Sequence, residues 1–388
     1  MTVVTAAALR TAKPLAAGPG AAPGLEECRA MVAIVAARRT PFAPVNGALS
    51  RWHPVDLCAE LLAATVQDPE SLDALVIECQ SPVGAQGDNM ARAAVLAAGW
   101  PESLPAFVVS GGSGGLGALV AGAGLVATGM QRVCVVGCEV MSAVPMGASA
   151  MARQAYGKPW GDRVAARYAN AGGLLPEGHR VERRAAELAI TRAQQDAWSA
   201  QSIANAHSTA PSPELVPIGN LFTDVFCHEA DTELDLLPPL FDADGSVTAG
   251  NSAVIADGAV AVVIERAGGP HRTVVATRAA GRSPCGALPI TPGLFALACA
   301  QIGWQPHELD FIELHEGFAA TAIETARSLP AVPINQRGGA LAYGNPHGAA
   351  GLRLVSSVWQ QLGTGQRGAA VYEAGEIAMV VLLGGRAD

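Results

Sequence analysis

Residues 106–119, AFVVSGGSGGLGAL, set a run of small residues where several enzyme classes expose a reactive group. An apolar strand, a glycine turn and a helix start in succession lift the turn to the edge of a sheet and aim the free N–H groups of the helix at whatever binds there. The turn satisfies two chemical patterns. Gly112, Gly114 and Gly117 fit GxGxxG, with Glu139 22 residues further on at the end of an apolar run. In a dinucleotide site such a helix N-terminus holds the pyrophosphate and the carboxylate holds a ribose, the arrangement of an NAD(P)-dependent oxidoreductase. Gly111, Ser113 and Gly115 fit GxSxG. There Ser113 would attack an acyl carbonyl, with a later aspartate and His347 completing a triad. The same serine also reads as a cap for the helix that follows.

These groups must be carried by elements, and the chain supplies them in alternation. MVAIVAARRTPF (31–42), LDALVIEC (72–79), 106–110 and RVCVVGCE (132–139) read as strands; DLCAELLAATVQ (56–67) and ARAAVLAAGW (91–100) read as helices. Regular alternation weakens between about 142 and 245, around one helix at 191–209, and resumes with AVIADGAVAVVIER (253–266), TVVATRAAG (273–281), a helix near 291–303 and FIELHEGFAATAIETARS (311–328). Strands alternating with helices predict a largely parallel sheet covered on both faces. The two regular halves have the look of a duplication.

Bulk properties narrow the function classes. The chain has 388 residues, 50% hydrophobic and 15% charged, which is enough for two core-forming halves. A net charge of −9 without a basic cluster speaks against nucleic acid as a partner. The 8 cysteines include no CxxC pair, so neither a metal site nor a disulfide framework is expected, and a reducing cytoplasm fits them. The one membrane-like stretch, 114–137, is broken by glycines, Gln131 and Arg132, and reads as a buried helix followed by a strand rather than a membrane span. Residues 1–30 lack the apolar centre of a signal peptide and read as a loose extension.

Six segments in order carry a family resemblance: RRTPF (38–42), GAQGDNMARAAVLAAGWPESLPAFVV (84–109), VVGCEVMSAVPMG (135–147), DADGSVTAGNSAVIADGAVAVVI (242–264), LHEGFAAT (314–321) and NQRGGALAYGNPHGAAGLR (335–353). Together they resemble the motifs of thiolases. The resemblance implies an α/β thiolase fold, with two duplicated βαβ-rich halves in a layered αβαβα arrangement and an inserted loop domain. The halves would be 31–266, with the loop domain at about 142–245, and 267–388. It implies a coenzyme A thioester, or an acyl-carrier thioester, as ligand with no covalently bound cofactor. It further implies a homodimer, or a heterodimer or tetramer with another thiolase-fold subunit, through paired nucleophile strands.

Thiolases carry the acyl group on a cysteine thiolate, activate it with a GHP histidine, move the α-proton with a second cysteine and hold a water on the Asn or His of the NEAF/HEAF loop. Carried over without gaps, the nucleophile position falls on Gly112 and the GHP histidine on Asn345, between Gly344 and Pro346. The second cysteine falls at Ala370 or Tyr372, and no cysteine lies beyond Cys299. His315, followed by Glu316, retains the fourth element. The family's CoA-holding GNAS segment becomes Asn251, Ser252, Ala253 with Val254 following, and Gly344 lies in the second loop near the ligand. These losses predict negligible thiolase turnover and a thioester-binding protein that partners an active thiolase or ketosynthase. His347, two residues after Asn345, is the remaining candidate base, so hydrolysis or acyl transfer by His315, His347 and a bound water is the alternative. Glu373 and Glu376 are expected to be solvated loop residues.

Overall fold

The protein is described by a computed structural model covering residues 32–151, 160–171, 174–210, 212–267, 272–283 and 291–385. The loose extension expected over 1–30 lies outside these residues. Strands β1 (Val32–Arg39), β2 (Ala43–Pro44), β3 (Ala74–Glu78), β4 (Ala106–Val109) and β5 (Arg132–Val140) alternate with helices α1 (Pro54–Thr65), α2 (Met90–Ala97) and α3 (Leu116–Ala127). A loop-rich region follows with α4 (Ala148–Met151), α5 (Asp162–Tyr168), α6 (Glu177–Glu187) and α7 (Arg192–Ser208). β6 (Ala256–Arg266) completes the first half, and the second comprises β7 (Arg272–Gly281), α8 (Thr291–Gln301), β8 (Phe311–Leu314), α9 (Ala319–Ala326), α10 (Ala340–Tyr343), α11 (His347–Gln361), β9 (Arg367–Ala374) and β10 (Ile377–Gly384).

Local chemistry starts the helices where the sequence places them. Asn89 caps α2 by accepting the Arg92 N–H at 3.0 Å. Thr191 and Gln194 form a reciprocal capping box at the start of α7.

The strands form one ladder, β4-β3-β5-β6-β1-β7-β10-β9-β8, with β2 beside β6. The expectation of a largely parallel sheet is corrected: only β3 with β4, β3 with β5 and β8 with β9 run parallel, and the remaining pairs are antiparallel. Period-2 alternation explains how this single ladder serves two halves. On β5, Val133 and Val135 face a central cluster with α3 and α11, whereas Cys134, Val136 and Cys138 face α1 and α2. On β10, Met379, Val381 and Leu383 join the central cluster, whereas Ala378, Val380 and Leu382 pack on α8. Helix α11 touches β5 and β6 of the first half and β8 and β9 of the second, so it lies between the halves. The layers are therefore α1 and α2, strands, α3 and α11, strands, α8. Helices with no polar face and strands buried on both sides are what this sandwich requires, and they account for the apolar runs of the sequence.

No described helix is long and apolar enough to cross a membrane.

Candidate functional site

A cleft of about 490 Å³ opens at the ends of the central layer. Four short stretches meet there: the turn after β4, the residues after β8, the loop before α11 and the end of β9. The first three precede or open helices, whereas the end of β9 turns into an antiparallel hairpin with β10.

The turn after β4 exists because of its glycines. Gly112, Gly114 and Gly115 have φ of +69°, +65° and +90°, a region that residues with a Cβ enter at a cost. Glu78, the last residue of β3, is fully buried beneath the turn. Its carboxylate accepts the Ser113 N–H at 2.9 Å, the Ser113 hydroxyl at 2.7 Å and the Ala118 N–H at 3.2 Å. Ser113 Oγ in turn accepts the Gly117 N–H at 2.8 Å. A charged residue ending an otherwise apolar strand run was the signal for this anchor, and the sequence reading passed over it.

That anchoring corrects two expectations. Ser113 is 3% exposed, does not face the cleft, and has Glu78 and Gly117 as its partners with no histidine among them, so it is a cap and not a nucleophile. The dinucleotide reading fails as well. The α3 N-terminus is occupied by Glu78 and covered by α11, whose Leu352 N–H donates to Gly114 O at 2.8 Å and whose Leu352 side chain would lie 2.8 Å from a Cβ on Gly115. A pyrophosphate has no room there and would meet a carboxylate. Glu139 is 1% exposed, with its oxygens taken by Gln80 N at 2.7 Å and Gln86 Nε2 at 2.8 Å, out of reach of a ribose.

Gly112 lines the cleft with Gln80 beside it; a Cβ on Gly112 would stand 2.8 Å from Gln80 Oε1. From the opposite side comes Tyr372, whose hydroxyl donates to the Gly112 carbonyl at 3.4 Å. Of the two positions left open in the sequence, Tyr372 faces the cleft and Ala370 is buried in the central core. The Tyr372 ring centroid is 4.7 Å from that of His315, so the phenol fills the space between the glycine turn and the histidine.

His315 follows β8, its backbone held by an N–H to Val371 O bond of 2.8 Å. It is 2% exposed and its Nε2 has no hydrogen-bond partner. Burial, reinforced by His347 and Arg353 nearby, pushes its pKa down to about 3, so it is neutral at ordinary pH. Glu316 serves structure instead: it accepts Trp198 Nε1 at 3.0 Å, the Ser202 hydroxyl at 2.7 Å and Asn335 Nδ2 at 2.7 Å. Asn345 donates its N–H to Val254 O at 2.8 Å, and its side-chain Oδ1 is buried without a partner. His347 is the first residue of α11, lines the cleft, and is also held below the usual imidazole range by burial.

Ser252 and Ala253 line the cleft, and Ser252 Oγ is a third buried polar atom without a partner. Val254 and Gly344 do not line it. Val254 contributes only its carbonyl to Asn345, and Gly344 holds a φ of +84° against Ala256 and Cys227. Glu373 departs from expectation: it is 4% exposed and paired with Arg282 at 3.0 Å, while Glu376 is exposed as expected.

Among the described residues no cysteine lines the cleft. Burial drives the thiols of Cys134 and Cys227 up to about 12, and that of Cys299 up to about 11, so none of these three is a ready thiolate. Among the described residues no group of three or more His, Cys, Asp or Glu side chains converges on a metal-sized site.

The arrangement thus offers three buried polar atoms without partners, His315 Nε2, Asn345 Oδ1 and Ser252 Oγ, in the cleft that Gly112 lines without a side chain. Comparison with known proteins places it in context. Residues 32–268 match the model of the thiolase N-terminal domain and residues 270–380 that of the thiolase C-terminal domain. A 3-ketoacyl-CoA thiolase of Vibrio vulnificus is 30% identical over 363 residues, 84% of this chain and 91% of its own. A 3-oxoadipyl-CoA/3-oxo-5,6-dehydrosuberyl-CoA thiolase of Escherichia coli is 33% identical over 372 residues, again 84% and 91%. The crystal structure of human mitochondrial 3-ketoacyl-CoA thiolase, solved also in complex with CoA, superposes with a TM-score of 0.77 over 92% of this chain, at 24% identity; the chain without CoA is covered to 99% and the complex to 98%.

Proposed function

We propose, on the premise that the chain belongs to the thiolase family, that it binds acyl-CoA or acyl-carrier thioesters without taking the acyl group onto itself. The observation that carries this reading is Gly112, at the cleft wall where covalent acyl transfer would begin, with no side chain to attack and, among the described residues, no cysteine elsewhere in the lining. Binding is supported by His315 Nε2, Asn345 Oδ1 and Ser252 Oγ. Buried polar atoms without partners are costly, and a ligand's carbonyl, amide or ordered water relieves that cost. A neutral imidazole and a primary amide can hold a thioester carbonyl without reacting with it.

The alternative, hydrolysis through His315 and His347, needs a general base. His315 with a pKa of about 3 binds protons too weakly to activate water near neutral pH, so its fitting role is that of a hydrogen-bonding partner.

An exposed sheet edge supports a subunit role. Strand β4 ends the ladder, and Phe107 on it is 45% exposed. An uncovered apolar edge strand invites pairing with another chain. In this reading β4 pairs with a second copy or with an active thiolase-fold subunit.

The test is incubation of the purified protein with acetyl-CoA and acetoacetyl-CoA, followed by intact mass and free-thiol assay. CoA binding with neither adduct nor release is expected. An acyl adduct on residues 110–114 would overturn the reading, and steady CoA release without an adduct would favour hydrolysis.

A further inference from the structure

Three carboxylates line the cleft, Glu177, Glu373 and Glu376, whereas no lysine or arginine does among the described residues. Two of these charges are answered by neighbours: Glu373 pairs with Arg282 at 3.0 Å and Glu376 with Arg180 at 4.0 Å. Glu177 differs. It is the first residue of α6, and its Oε1 accepts the Gly375 N–H at 2.9 Å. No cation among the described residues pairs with it.

The same cleft holds the unpartnered atoms of His315, Asn345 and Ser252, which mark where a ligand's polar group sits. Tyr372 links the two regions, its ring against His315 and its phenol held protonated by burial and by the nearby Glu177 charge. Much of the remaining wall is apolar, with Met146, Leu240, Phe241 and Phe318.

We infer that Glu177 sets the charge preference of the acyl group, so that the cleft takes thioesters with a short neutral chain and rejects those whose chain ends in a carboxylate. This rests on the reading of the cleft as an acyl-thioester site. A further carboxylate entering would lose its water beside an unanswered like charge, with no cation among the described lining residues to receive it. Selectivity then comes from a repulsive element rather than from an added contact. The phosphates of CoA are common to competing acyl-CoA molecules and cancel from the comparison.

The experiment is calorimetric titration of the full chain with butyryl-CoA and with succinyl-CoA, which match in chain length and differ in the terminal charge. Succinyl-CoA is expected to bind weaker by about tenfold or more. Glu177→Gln keeps an acceptor for Gly375 and removes the charge; in it the two affinities are expected to converge to within about threefold. Glu177→Ala, which also loses the Gly375 bond, is expected to converge likewise. Equal binding of the two thioesters by the unaltered protein, or an undiminished preference in both variants, overturns the inference. If neither thioester binds, the acyl-thioester reading itself falls, and this assignment with it.

Discussion

The Tyr372 hydroxyl sits 3.4 Å from the Gly112 carbonyl oxygen, across 260 residues of sequence. The contact ties the end of β9 to the turn after β4, and it explains why that turn carries so little side chain. A Cβ on Gly114 would lie 2.7 Å from the Tyr372 ring and 2.5 Å from Gly351 N. The aromatic ring and the glycines therefore form one unit, in which the end of β9 and the turn after β4 are coupled in space.

Restoring a thiol at the turn is expected to fail as a repair. Gly112→Cys must adopt a φ of +69° and displace Gln80, at a cost of about 1–3 kcal/mol. Asn345 is no base, and burial holds both His315 and His347 below the usual imidazole range, so the new thiol is expected to stay protonated. A lowered melting temperature and no acetyl adduct in intact mass after acetyl-CoA treatment are the expected results; an adduct would show that the site still activates a nucleophile.

The Tyr372 ring should matter more than its hydroxyl. The 3.4 Å bond is long, so Tyr372→Phe is expected to cost less than about 1 kcal/mol in urea unfolding. Tyr372→Ala empties the space between His315 and the turn and is expected to cost about 3–5 kcal/mol. Equal effects of the two variants would contradict the packing account.

Glu78→Ala leaves the Ser113 hydroxyl and two N–H groups of the turn without an acceptor in the interior. A loss of about 2–4 kcal/mol is expected, together with weaker thioester binding as the turn loosens. Unchanged stability would mean that the glycine turn holds its shape without the carboxylate.

His315 makes stability depend on pH in a defined sense. Its folded pKa of about 3 lies below the ordinary 6.5, so the unfolded chain binds the extra proton more readily. Its contribution is fully present above pH 6.5 and is lost progressively as pH falls toward 3. Buried Glu139, Asp257 and Glu313 are shifted upward and act in the opposite sense, so the comparison must be with His315→Asn. The urea midpoint of the unaltered protein, relative to that variant, is expected to fall between pH 7.5 and 4.5; a constant difference would refute the shift.

If β4 is the pairing edge, a charge on it should separate subunits. Phe107→Lys is expected to lower the mass seen by light scattering toward that of one chain without lowering the helix content. A monomeric unaltered protein would remove the proposed edge pairing between copies.

Much of the fold was legible in the chain itself. Apolar runs such as VCVVGC and AVAVVI fixed the strands, because a strand buried on both faces has no polar alternation to hide it. The GxGxxG and GxSxG matches were also legible, and both were misleading, because a pattern of glycines and one serine reports backbone shape and not what occupies the space above it. The antiparallel majority of the ladder was hidden, since pairing direction depends on connections that periodicity does not encode.

The sequence by itself determined that Gly112 stands in a glycine turn after an apolar strand, that Asn345 stands in a GNPHG loop, and that no thiol follows Cys299. Only the tertiary structure decided that Tyr372, not Ala370, faces the cleft, that Ser113 turns away onto Glu78, and that Glu177 reaches the same cavity from a different half of the chain. The physical reason is that residue identity and local spacing are properties of the chain. Desolvation, an unsatisfied hydrogen bond or an unanswered charge arises only when distant segments exclude water together.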